Sequence, residues 1–186
     1  MRRGSILILA AVLVSAGCSS SMPIDEYAAE LSQIAEDYVV ESQDLSYDYQ
    51  SSVEDGVREI VEAGQDDAAE SAVELVRIET VQYFAMLSDA MGRYLDRLDE
   101  LSPPGEVSAE HDAYVAAVRN VYGSIPYARD TVAEASSLED VQLSLTASGF
   151  ADGQLRWTTT CVSLEEAIME QGQDVTLRCI RSTPGQ

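Results

Sequence analysis

Beyond residue 23, apolar residues recur every three or four positions through nearly the whole chain, the spacing that lays one stripe along a helix. A first segment opens at Pro23, a residue suited to a first helical turn. It carries Ile24, Tyr27, Leu31, Ile34, Tyr38, Leu45, Tyr49, Val53, Val57 and Ile60, and most of its acids fall off that stripe. Gly64-Gln65-Asp66-Asp67 then supplies a C-cap glycine followed by an N-cap acid. A second segment runs from Ala68 to Leu101 on Val73, Val76, Val81, Phe84, Leu87, Met91, Tyr94, Leu95 and Leu98. Ser102-Pro103-Pro104-Gly105 ends it, because proline cannot continue a helical ladder and disfavours helical geometry in the residue before it. A third segment, from Glu106 to Ala135, puts Val107, His111, Tyr114, Val118, Val121, Ile125, Ala128 and Val132 on one face. Pro126 inside it predicts a kink near Tyr122 to Ser124. Ser137 with Asp140, or Ser136 with Glu139, resembles a capping box opening a fourth segment from Leu138 to Gln171. Gly149 and Gly153 within that segment mark close packing or a break. Asp174 to Ile180 alternates and reads as a short extended tail.

Four amphipathic segments with short connections favour antiparallel neighbours. The pattern therefore predicts an all-α fold: an elongated antiparallel four-helix bundle, up-down-up-down, with a short extended C-terminal tail. The first helix would reach roughly 55 to 60 Å at 1.5 Å per residue. An alternative splits it near Ser42 to Ser46 and gives five helices.

Upstream the pattern changes. Arg2 and Arg3 precede a run from Ile6 to Ala16 that is apolar at every position except Ser15. At roughly a dozen residues the run falls short of the roughly 20 needed to span a bilayer core. Its length and flanks suit the apolar region of a signal peptide. Ser15-Ala16-Gly17-Cys18 resembles a lipobox, in which small residues lead into a cysteine that receives diacylglycerol and becomes residue one after cleavage. Ser15 stands where that pattern usually has Leu. The resemblance implies a signal peptide over 1–17, a lipidated Cys18 with a polar tether over 18–23, and a helical domain over 24–186. It also implies a membrane partner through the lipid, at the extracytoplasmic face of a cell membrane or outer membrane. Two acyl chains anchor stably where one binds marginally.

Charge narrows the partners. Without residues 1–17 the chain keeps nine Arg, no Lys and 33 acidic residues, a net charge near −24. Such a charge repels nucleic-acid phosphates and anionic lipid heads, so no nucleic-acid partner is expected. It could attract cations or basic partners, or simply keep the surface solvated. With Cys18 committed to lipid, Cys161 and Cys179 remain. An exported compartment permits a disulfide between them, and two cysteines without a neighbouring His make a poor zinc site. The helix from Cys161 to Gln171 climbs about 15 Å, and an extended return from Gly172 to Cys179 covers about 25 Å. The tail can therefore fold back and pin itself at Cys161.

Candidate chemistry is sparse. His111 is the only His, and the position three residues before it is Ser108, so the Glu-x-x-His pairs of di-iron bundles are missing. On an apolar face, His111 reads as a packed or capping residue. No Asp-rich calcium loop with a central glycine occurs. Asp66, Asp67 and Glu70 read as a solvated helix start. Nucleophilic catalysis would need a base and an oxyanion hole that the chain does not spell out. No enzyme, metal or cofactor is expected, and paired carboxylates are the one route left to a hydrolase. Nine Tyr against two Phe and one Trp suggest core-edge packing, or a stacking groove for a sugar or peptide.

Leu95-x-x-Leu98-x-x-Leu101-Ser-Pro-Pro, His111, the following helix and the late Cys161/Cys179 pair resemble helical lipoproteins of bacteria. The resemblance covers about half the chain and implies an extracytoplasmic helical domain, with no activity or site residues attached. The expected role is a non-enzymatic interaction or structural module of the cell envelope, meeting an envelope protein or the cell wall. The alternative is a small-ligand or cation-binding module built from Tyr and carboxylate groups.

Overall fold

The computed structural model describes residues 21–64 and 66–179. The leader over 1–17 and Cys18 lie outside the described residues. Among those described, every regular element is a helix: α1 (Ile24–Ala63), α2 (Ala68–Glu100), α3 (Ser108–Ala133), α4 (Leu138–Ala147) and α5 (Phe150–Glu170). None of these helices is long and apolar enough to cross a membrane.

The expected bundle forms, with its fourth leg divided. α1 runs unbroken through Ser42 to Ser46, so the fifth helix does not arise there. At 40 residues it is about 60 Å long. The division falls instead at Gly149, whose φ of 72° is a left-handed conformation that a side chain disfavours. Gly153, one turn on, is buried against α3. A Cβ there would stand 3.1 Å from Cγ2 of Val121. The two glycines thus mark both a break and a close approach. α3 continues as helix through Pro126.

Caps follow the local chemistry. Gly64 closes α1 in the left-handed conformation, with φ 59°. Ser137 accepts the Asp140 amide at 3.1 Å, while the Asp140 carboxylate takes the Ser136 amide and hydroxyl at 3.2 and 2.6 Å. The Ser137–Asp140 half of the expected capping box is present, and the return bond falls one residue earlier, on Ser136. Asp67 precedes α2 without a side-chain capping bond.

Pairings across the first hairpin run in opposite senses. Asp37 meets Arg97 at 2.6 Å, Glu41 meets Arg93, Ser46 meets Tyr83 at 3.3 Å and Tyr49 meets Thr80 at 3.0 Å. Between α2 and α3, Tyr94 joins Tyr114, and Arg77 donates to the Ala133 carbonyl at 2.8 Å. The core stacks Leu31, Leu98, Val118, Val121, Ile125, Leu164 and Ile168, all nearly inaccessible. At one pole the Met22 amide donates to the Ser102 carbonyl at 2.9 Å. That bond ties the start of α1 to the turn between α2 and α3. Toward the other pole the core thins. α1 has no fully buried residue after Tyr38, and α2 has none before Thr80.

Candidate functional site

α2 packs on α1 and on α3, and α3 packs on α5, but α1 and α5 form no extensive interface. The seam between them is handled differently along its length. Near the Met22 pole it is filled by the tail after α5. Thr176 donates its amide to the Ser32 hydroxyl of α1 at 3.3 Å, and Arg178 holds Glu36 of α1 at 2.9 and 3.1 Å. On the α5 side, Leu177 is buried and donates its amide to the Glu165 carboxylate at 2.7 Å. Cys179 is joined to Cys161 by a disulfide, with Cα atoms 5.7 Å apart. The expected fold-back and cystine are therefore present. Arg178, between these anchors, sits at φ 54°. Such a conformation costs a non-glycine residue roughly 1–2 kcal/mol and needs fixed neighbours to hold it.

Past the tail the seam stays open as a groove of about 550 Å³. Its aromatic wall and floor come from four helices. Tyr38 of α1 stacks on Tyr94 of α2 with ring centres 4.5 Å apart and planes inclined by 22°. Trp157 of α5 leans on both, at 5.7 and 6.3 Å. Tyr114 of α3 lies beneath, hydrogen-bonded to Tyr94. Farther along, Phe150 meets Phe84 edge-on at 5.9 Å. Tyr83, Leu87 and Met91 extend the apolar surface, and Ser42, Gln43, Ser46, Gln154 and Thr158 add hydroxyl and amide groups.

The electrostatics of the groove are set by burial. Desolvation pushes the phenols of Tyr38, Tyr94 and Tyr114 above their ordinary value. They stay protonated at neutral pH, available for hydrogen bonds and not as phenolate bases. No Asp, Glu or His is among the described residues lining the groove, and its one cation, Arg178, is already paired with Glu36. A chain with 33 acids thus keeps carboxylates off this surface. The arrangement can bury an apolar body, stack on a ring and satisfy a few neutral polar groups. It offers no acid–base pair for catalysis.

The other residues singled out in the sequence are dispersed. His111 is buried on α3, its Nδ1 2.9 Å from the Tyr27 hydroxyl. Burial pulls its pKa below the ordinary 6.5, so it is a neutral packed residue outside the groove. Asp66 and Asp67 lie in the turn between α1 and α2. Among the described residues, no group of three or more His, Cys, Asp or Glu could hold a metal ion. Tyr38, Tyr94 and Tyr114 do converge. The pattern of stripes did not reveal Phe150, Tyr83 and Arg178 as lining residues, nor Glu165 as the tail's anchor. Glu165 had a signal: with Cys161, Leu164 and Ile168 it occupies the buried face of α5, an unusual place for a carboxylate.

The fold and site together define an all-helical bundle with an aromatic groove along one open seam. The chain matches no protein-family model, and no curated protein or solved structure is significantly similar to it.

Proposed function

We propose that the protein is a lipid-anchored, extracytoplasmic binding module that holds a small uncharged molecule with an apolar body in the α1–α5 groove. The observation that carries this reading is the unfilled seam itself. Adjacent helices normally bury their stripes against each other, yet here an aromatic surface of about 550 Å³ is left concave. Small-molecule sites measure roughly 300–1,000 Å³ and combine apolar walls with a few placed polar groups. The described lining residues offer no carboxylate to hold a cation, and the strongly acidic chain, with Arg178 already paired to Glu36, offers an anion no free countercharge. The lipobox-like Ser15-Ala16-Gly17-Cys18 supports the anchor.

Thermal shift tests the reading on a Cys18→Ala chain, which carries no acyl groups of its own. An uncharged monoacylglycerol or Nile red at about 100 times its Kd should stabilise the fold by about 2.7 kcal/mol. Ser42→Phe, which fills the groove from its half-exposed rim, should abolish the shift. Equal shifts in both chains, or none from uncharged probes, would overturn the proposal.

A second reading rests on a separate observation. Among its described residues, the α1–α2 hairpin beyond Tyr38 and Thr80 contains none that is fully buried, and it exposes Tyr47 and Val61. An envelope protein or the cell wall could engage that surface while the groove serves its own ligand.

A further inference from the structure

We propose that the Cys161–Cys179 disulfide is a redox-sensitive latch whose reduction by an external dithiol frees the tail from the α1–α5 seam and opens the groove. The inference rests on the groove being the ligand site proposed above. Three observations carry it.

First, the tail is structural to the groove and not merely near it. Leu177, Arg178 and both half-cystines line the cavity. The tail also bridges the two helices that otherwise form no extensive interface, touching α1 at Ser32 and Glu36 and α5 at Cys161 and Glu165. Loss of the tail therefore removes one end wall of the groove.

Second, among the described residues the bonds that would hold the tail after reduction are few. The Arg178–Glu36 pair is exposed, with side chains 54% and 43% accessible, and exposed pairs hold weakly. The Thr176–Ser32 bond is long at 3.3 Å. Arg178 holds a left-handed backbone that relaxes once its neighbour is released. Among the described tail residues, Leu177 with its bond to Glu165 is the one fully buried non-covalent hold, and Val175 packs half-buried against the core. Leu177 is the one tail residue after α5 in the buried core, whose other members, Leu31, Leu98, Val121 and Ile125 among them, come mainly from the helices.

Third, the two sulfurs are unequally placed. Cys161 is 3% accessible, whereas Cys179 is only partly covered. A thiolate of the dithiol attacks Sγ of Cys179, and the S–S bond breaks with Cys161 leaving as thiolate. The dithiol's second thiolate then closes on its own sulfur and expels the Cys179 thiolate. Two electrons pass to the cystine, the dithiol becomes a cyclic disulfide, and its two protons end on the two cysteines.

The test uses the Cys18→Ala chain, so that Cys161 and Cys179 are its only thiols, oxidised and after reduction with dithiothreitol. Far-UV circular dichroism, hydrogen exchange at Leu177, acrylamide quenching of Trp157 and Nile red affinity are read on both forms. Reduction should leave helicity intact, speed exchange at Leu177 about tenfold or more, raise Trp157 quenching and weaken Nile red binding about tenfold. A Cys161→Ser/Cys179→Ser chain should behave like the reduced form. Unchanged Leu177 exchange, unchanged quenching, or collapse of helicity on reduction would each overturn the latch. Nile red failing to bind either form, with exchange and quenching responding as expected, would overturn the ligand reading and leave the latch supported.

Discussion

His111 is the only titratable imidazole in the chain, and the bundle buries it against Tyr27 at 2.9 Å. Desolvation lowers its pKa below 6.5, partly opposed by the Asp112 and Asp99 charges. As pH falls below about 6.5 the unfolded chain binds a proton that the folded chain resists. His111 thus contributes stability that is whole above that pH and declines as pH falls further. Melting His111→Phe beside the parent from about pH 7.5 down to about pH 5.5 reads this directly. The parent's advantage should shrink on acidification, and a constant or widening gap would contradict the buried neutral imidazole. The comparison between chains matters because protonating the many surface carboxylates relieves repulsion in both. Glu165 shows the opposite solution for a buried polar group. Its carboxylate receives the Leu177 amide, so an acid on an apolar face becomes the anchor of the tail.

At the scale of elements, most boundaries were legible because short-range chemistry decides them. Pro103 and Pro104 end α2, Gly64 caps α1, and the Ser136–Ser137–Asp140 cluster opens α4. The division of the fourth leg was half legible. Gly149 and Gly153 announced a break or a close packing, and only the packed bundle shows that each performs one of those roles. The continuity of α1 was open in the sequence, since Ser42 to Ser46 has weak helix formers. Packing against α2, through the Glu41–Arg93 and Tyr49–Thr80 contacts, carries the helix past them. The approach of α5 to α3 at Gly153 is quantitatively testable. Gly153→Leu forces a side chain toward Val121 and should destabilise the fold by about 1–3 kcal/mol in urea unfolding. An unchanged midpoint would mean the two helices are not in contact there.

At the scale of the whole molecule, the tyrosines suggested a stacking groove, but its place between α1 and α5 was not legible, for a physical reason. Hydrophobic periodicity tells which face of each helix avoids water, but not which two faces fail to meet. Tyr38, Tyr94 and Trp157 each look like ordinary core positions on their own stripes. They become a site only because α5 sits on α3, α1 sits on α2, and a covalently pinned tail closes one end of the seam and leaves the other open. The cystine itself was legible, because the extended return is long enough to span the helix rise back to Cys161. The geometry also gives the proposed anchor a consequence. With a lipid at Cys18, the first described residues, Ser21 and Met22, lie at the pole where α1 begins, and the α1–α2 turn would stand up to about 60 Å away along α1. Metabolic labelling with a fatty-acid probe should mark the chain and fail on Cys18→Ala. Equal labelling of both would remove the anchor.

The groove is tested most directly by energy transfer from Trp157, the only Trp in the chain, which lines the proposed site. Titration of the oxidised Cys18→Ala chain with Nile red should give sensitised dye emission that saturates at one dye per chain. Ser42→Phe should abolish it while leaving helicity and Trp157 emission in place. Emission that rises without saturating, or that survives Ser42→Phe unchanged, would contradict a ligand site in the open seam.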